Sequence, residues 1–209
     1  MTSIFEPIYV AQKLEDVIKA QIEEWMPTYI REVERQFFGQ MDRIPMPKSV
    51  TSRNQFDKFP EDQLPMIVVV NSGLADEPIK HGDGVHTAWW AIGIGIIASA
   101  STEEASRQIT DVYGAAIRAL LLQKPDIGGN AAGVEWVDEI YDDLPTDDQA
   151  RSLRSARLVF RVLVDDVVTS WGGPAEPDDP DPAMPGSQWP TADDVIIETN
   201  IVDQIEEVP

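Results

Sequence analysis

Apolar positions recur every three or four residues over about residues 8–26, where Val10, Leu14, Val17, Ile18, Ile22 and Trp25 form one helical stripe. Pro27 is expected to end or kink that helix, because proline lacks the amide a helix interior uses. Residues 29–38 then add a further helical turn or two. The pattern breaks over residues 39–65, which hold Pro45, Pro47, Pro60 and Pro65 and few apolar runs. This stretch reads as an extended, turn-rich connection, and a loop of that length is more often functional or interfacial than idle.

Period-two patterns follow. Residues 66–70 (MIVVV) are a β-branched run closed by Asn71-Ser72-Gly73, the mark of a buried strand ending in a turn. After a polar loop over residues 73–85, residues 86–98 alternate. Ala88, Trp90, Ile92, Ile94 and Ile96 point one way as a core face, and Trp89, Ala91, Gly93 and Gly95 point the other. Glycine inside a strand often marks the close approach of another backbone. Ser101-Thr102-Glu103-Glu104 is a capping signal, with Ser101 placed to bond the amide near Glu104. A helix then runs to about Gln123 on an apolar face of Ile109, Val112, Tyr113, Ala116, Ile117, Leu120 and Leu121, and Pro125 with Gly128-Gly129 stops it. Val134–Tyr141 and then Ala156–Val164 alternate again, and the roughly ten polar residues between them suit an antiparallel pair.

The order helix, strand, strand, helix, strand, strand needs few long crossovers. It predicts an α+β domain with helices packed on one face of a mostly antiparallel sheet, over residues 1–171. From residue 172 the character changes: Pro174, Pro177, Pro180, Pro182, Pro185 and Pro190 are interleaved with acids, ten of the chain's 37 acids lie here, and no lysine or arginine does. Residues 172–209 therefore read as an extended, acidic, Pro-rich arm. Near its end Val195, Ile196, Ile197, Ile201 and Val202 form a short β-prone piece. It is either a frayed tail or a tethered strand that pairs with a sheet edge, including one on a neighbouring subunit.

Composition narrows the chemistry. The 209 residues contain no cysteine, which removes disulfides, thiolate metal sites and cysteine nucleophiles together. The formal net charge of −21 repels nucleic-acid phosphates and anionic lipid. The longest apolar stretch, residues 88–100, is broken by Gly93 and Gly95 and falls short of the roughly 20 residues of a membrane span. The first seven residues lack the basic and apolar regions of a signal peptide. His81 and His86 flank Gly82-Asp83-Gly84, and with Asp83 they make at most a partial metal set, where three or four converging ligands are needed. Gly82-Asp83-Gly84 and Gly128-Gly129 lack the strand–loop–helix context and the lysine of a phosphate loop, so they read as turns. Asp165 and Asp166 are adjacent on a strand and point to opposite faces. No serine stands in a nucleophile-elbow frame. No catalytic, cofactor or metal residue is assigned, and the expectation is a binding protein rather than an enzyme. Candidate interface residues are Trp89, with Gly93 and Gly95 beside it, and the basic series Arg151, Arg154, Arg157 and Arg161. Trp89 is either an interface anchor or second-layer core. The arginines are either a charge-balancing surface or a salt-bridging face for an acidic neighbour.

Local phrases add a resemblance. Ile22-Glu23-Glu24-Trp25-Met26-Pro27, Leu64-Pro65-Met66-Ile67-Val68-Val69-Val70, Trp89-Trp90-Ala91-Ile92-Gly93, residues 113–121 (YGAAIRALL) and Trp136-Val137-Asp138-Glu139-Ile140-Tyr141 resemble tail-terminator proteins of siphophages infecting actinobacteria. The likeness is one of order and phrasing over about residues 8–172. The acidic arm is not part of the common core of that family. The resemblance implies a virion protein of the tail and neck, made in the host cytoplasm. Its subunits would form a ring, a hexamer in the family pattern, that caps the tail tube and ends its polymerisation. Its implied partners are copies of itself, the major tail tube protein, the head-completion or stopper protein and the tape measure protein. DNA would pass through the lumen without sequence-specific binding, and no membrane is involved. The rival readings are another neck or tail-tube component, such as a connector or stopper, and, from a different class, a small-molecule-binding domain or enzyme.

Overall fold

The computed structural model describes residues 11–52, 61–82, 85–145 and 151–169. The proposed domain boundary at 171/172 and the arm residues Val195, Ile196, Ile197, Ile201 and Val202 lie outside them. The fold is α+β: two helices and a six-stranded mixed sheet of order β1-β2-β4-β6-β5, with β3 paired to β4 off that path.

Helix α1 (Ala11–Phe38) runs through Pro27 without ending there. Leu14, Ile18, Ile22, Met26 and Ile30 form one fully buried row on both sides of the proline. Burying Met26 and Ile30 is worth about 1.5–3 kcal/mol each, which offsets the roughly 3 kcal/mol that an interior proline costs. The row ends at Glu34, a buried carboxylate. Its Oε1 accepts from the amides of Arg43 and Ile44, both at 2.6 Å, and its Oε2 accepts from that of Asp42 at 3.0 Å. This side chain folds the chain back after α1, through left-handed Gly39 (φ 63°) and Asp42 (φ 64°).

The long connection contains β1 (Ser49–Thr51), which pairs parallel to β2 (Met66–Leu74). β2 is longer than the β-branched run: Asn71-Ser72-Gly73 makes a bulge within the strand instead of closing it. The Gly73 amide donates to Asn71 Oδ1 at 2.9 Å, a turn closed by the asparagine, while the Asn71 amide donates to Glu15 on α1 at 2.6 Å. The polar loop that follows contributes β3 (Ile79–Lys80). β4 (Val85–Ala100) is the central strand, antiparallel to β2, β3 and β6 (Ser152–Thr169). β5 (Gly133–Leu144) pairs antiparallel with β6 and forms one edge of the sheet.

Helix α2 (Glu103–Gln123) is capped by Thr102, one residue later than expected: its Oγ1 accepts from the Ala105 amide at 3.2 Å. Ser101 and Thr102 both have the chemistry for the role, and the position of the first helical turn selects the second. The helix ends in a left-handed turn at Ile127, Gly128 and Gly129 (φ 44°, 64° and 80°), so the glycine pair is turn chemistry.

Both helices cover one face. The rows Ile92, Ile94 and Ile96 of β4 and Leu158, Phe160 and Val162 of β6 meet the buried faces of α1 and α2 in a single core. On the opposite face only a small cluster is buried, made of Leu64, Met66, Val68 and Ile97. Among the described residues no helix is long and apolar enough to cross a membrane.

Glu34→Ala removes the acceptor of three backbone amides, of which that of Ile44 is buried and those of Asp42 and Arg43 are partly exposed, and leaving a buried donor unpaired costs about 1–3 kcal/mol. The expected loss is about 1–3 kcal/mol in urea unfolding, with an unchanged slope. Glu34→Gln, which keeps Oε1 for Arg43 and Ile44, should fall between the two. A loss under 1 kcal/mol for the alanine variant would contradict this role.

Candidate interaction surface

Strand alternation sorts the candidate residues onto faces. On the helix-free face lie Trp89, Gly93 and Gly95 of β4, Arg157 and Arg161 of β6, and Asp138, Ile140 and Asp142 of β5. Arg154 belongs to the helix side. The basic series is therefore not one cluster: β6 turns Arg154 away from Arg157 and Arg161, and Arg151 precedes the strand.

Trp89 and Arg161 sit together. The Arg161 guanidinium lies 4.9 Å from the Trp89 ring centroid and pairs with Asp76 and, at 3.8 Å, with Glu135. A cation held against an indole and two carboxylates makes a polar-rimmed aromatic platform, with the half-buried indole as its base. Arg157 is exposed between Gly95 on one side and Ile140 on the other, with no carboxylate partner among the described residues. No backbone closes on Gly93: a Cβ there would meet only the Val70 carbonyl, at 3.9 Å.

The close approach falls instead at Gly114 of α2, which the sequence reading passed over. A Cβ at Gly114 would collide with the Tyr141 hydroxyl and stand 3.2 Å from Glu139 Oε1. Tyr141 donates to Glu139, Glu139 is paired with Arg118, and the Arg118 guanidinium covers the Trp136 ring at 4.7 Å. Burial, with the Glu139 carboxylate beside it, pushes the Tyr141 hydroxyl above the ordinary phenol range. This network clamps β5 to α2, and a bulge between Trp136 and Asp138 makes it possible. Val134 and Trp136 face α2 before the bulge, and Glu139, Tyr141 and Asp143 face it afterwards. The clamp leaves apolar surface on the edge strand: Trp136, Val137 and Ile140 are 46%, 54% and 41% exposed.

The histidines do not converge. His81 Nε2 lies 2.8 Å from Thr87 Oγ1, which in turn donates to Asp165 at 3.2 Å. In an acyl-transfer triad the imidazole stands between hydroxyl and carboxylate. Here the hydroxyl stands between the other two. Three open clefts of about 380, 290 and 390 Å³ run along α1, and none is lined by these residues. Among the described residues no three metal-ligating side chains gather, and Asp83 lies outside them. What this surface offers is contact chemistry: exposed apolar side chains, an aromatic–arginine platform and an unpaired strand edge.

Gly114→Ala gains up to about 1 kcal/mol of helix propensity but displaces the Tyr141 hydroxyl, an overpacking that costs about 1–3 kcal/mol. A net loss is expected in denaturant unfolding. In a Tyr141→Phe background the obstructing oxygen is gone and the same substitution should turn neutral or stabilising. A double-mutant cycle with no coupling would rule the clamp out.

No family model matches the chain, and no curated protein matches it. Among solved structures, a chain from "Virion of native gene transfer agent (GTA) particle" is similar at 15% identity and a TM-score of 0.44, over 75% of this chain and 98% of that one.

Proposed function

We propose that the chain is a structural virion protein of a long-tailed phage, a tail terminator whose copies form a ring on the last ring of the tail tube. The observation that carries this reading is the finish of the sheet. Among the described residues one face has no helix over it, and the twelve-residue edge strand β5 exposes Trp136, Val137 and Ile140. A long edge strand with exposed apolar side chains is a template for another chain, and the acids and bulge of β5 narrow which chain can pair there. The order and phrases shared with tail-terminator proteins support the same reading. In this role the ring stops tube polymerisation and offers its other side to the head-completion or stopper protein. The chain's acidity keeps DNA from adhering to the ring it passes through. A connector or stopper of the neck would show the same unfinished sheet, and it differs in which assembly it binds.

Light scattering on the full chain should give a mass of several subunits, and negative-stain images should show rings. Added to polymerising tail tube protein, the chain should shorten tubes and sit at one end. A strictly monomeric protein that leaves tube length unchanged would overturn the proposal, and binding to the head side alone would favour the connector. Removing residues 172–209 tests the arm: a lower assembled mass is expected if residues 195–202 pair with a neighbour, and an unchanged mass makes the arm dispensable for the ring.

A further inference from the structure

We propose that copies of this chain join head to tail, edge strand to edge strand, with β5 of one copy laid along the β1 edge of the next. The proposal rests on the ring reading and names the contact within it.

The two ends of the sheet are unlike. β5 carries Glu135, Asp138, Glu139, Asp142 and Asp143 and no base. Three of these acids meet arginines of their own chain: Glu139 pairs with Arg118, Asp143 with Arg154 at 3.2 Å, and Glu135 with Arg161 at 3.8 Å. Asp138 and Asp142 are exposed and have no ion pair among the described residues. They stand beside Ile140, so the edge offers apolar surface bounded by free negative charge.

The opposite end is the reverse. Among the described residues β1 closes the sheet order with β2 as its one partner, which leaves its other side an edge. The stretch Arg43-Ile44-Pro45-Met46-Pro47-Lys48-Ser49-Val50-Thr51-Ser52 contains two bases and no acid of its own; one carboxylate, Asp16 of α1, reaches its far end, where it accepts from Ser52 Oγ at 3.5 Å, away from Arg43 and Lys48 in sequence. Neither base has a carboxylate partner among the described residues: the Lys48 ammonium donates to the Asp62 carbonyl at 3.3 Å, and Arg43 lies over the Phe38 ring. In a chain of net charge −21 such a stretch stands out.

Charge therefore decides the mode of contact. Pairing β5 with β5 of another copy would set acid against acid across the ladder, and like charges opposite one another destabilise a sheet. Pairing β5 with the β1 edge sets Asp138 and Asp142 against Lys48 and Arg43. That contact joins two different surfaces. It leaves each copy with one free edge of each kind, and repetition gives a closed ring when the rotation closes. β1 supplies three residues of ladder, and the rest of the contact is side chain against side chain.

The absence of cysteine makes a clean test. Within one copy the β1 edge and β5 are four strand spacings apart, about 19 Å, so a bismaleimide shorter than that links Met46→Cys to Ile140→Cys, which this pairing sets opposite each other, only between copies. With the full chain, the double variant should give a ladder of covalent multimers, whereas either single variant should stop at the background of uncrosslinked protein. Asp138→Lys/Asp142→Lys should lower the assembled fraction at least tenfold at fixed concentration. Adding Arg43→Glu/Lys48→Glu to the same chain should restore it. Crosslinked dimers from Ile140→Cys alone would overturn the head-to-tail mode in favour of β5–β5 pairing. An assembled wild-type protein whose double-cysteine variant assembles but yields no ladder would sink this contact and leave the ring reading standing. A wild-type chain that is monomeric with and without tail tubes would sink both.

Discussion

A sheet with both of its described helices on one side buries mainly that side, and much of this molecule follows from it. The buried row of α1 and the apolar face of α2 meet the inward rows of β4 and β6, and the core is filled there. On the other face the small cluster of Leu64, Met66, Val68 and Ile97 is buried, and Trp89, Ala91 and Gly93 of β4 are half-buried against strand neighbours with no helix above them among the described residues. Among the described residues the two ends of the sheet, β1 and β5, each have a strand partner on one side alone.

Polar groups do the fine positioning. Glu34 and Glu15 each send a buried carboxylate from α1 to backbone amides, one folding the chain after the helix and the other holding the β2 bulge. Gln21 joins the helices by donating to the Lys124 carbonyl at the end of α2, where the Lys124 ammonium also lies 3.8 Å from the Trp25 ring. Tyr113, buried in the core, donates to the Pro45 carbonyl at 2.6 Å and so ties the turn-rich connection to α2. A buried hydrogen-bonding group fixes a relative position that apolar contact alone would leave adjustable.

The elements that a short window of sequence can specify were legible in it. The four-residue row of α1, the alternation of β4 and β6, and the stop at Gly128-Gly129 each depend on neighbours in the chain. Most of what was misread depends on partners far away, and the α2 cap, at Thr102 and not Ser101, is the local exception. Pro27 leaves open whether the helix ends or continues until Met26 and Ile30 are seen to share one core with Ile22. Asn71-Ser72-Gly73 looks like a closing turn until β4 is seen to continue the ladder past it. β1 and β3 are too short for any periodicity to reveal, and exist because β2 and β4 offer them a ladder. The arginine series read as a cluster because spacing was counted without parity, and strand geometry separates Arg154 from Arg157 and Arg161. Gly114 carried a signal of its own, a glycine in the middle of a strong helix, whose cause, Tyr141, is 27 residues away.

The bulge in β5 has a further consequence. It is a phase shift: even-numbered residues face α2 before it and odd-numbered residues after it. The strand thus follows two rules of substitution on either side of Val137, and a residue tolerated at one parity in the first half is tolerated at the opposite parity in the second. Val137 is the residue the ladder leaves without a partner: Trp136 stands opposite Phe160 and Asp138 opposite Val159. Removing it would leave a regular alternation in which Trp136, Glu139 and Tyr141 all keep the face toward α2. Removing a paired residue while the bulge stays would instead turn everything on one side of the cut to the opposite face, so a one-residue change of length in this strand is silent at one position and a half-turn of the surface at its neighbours.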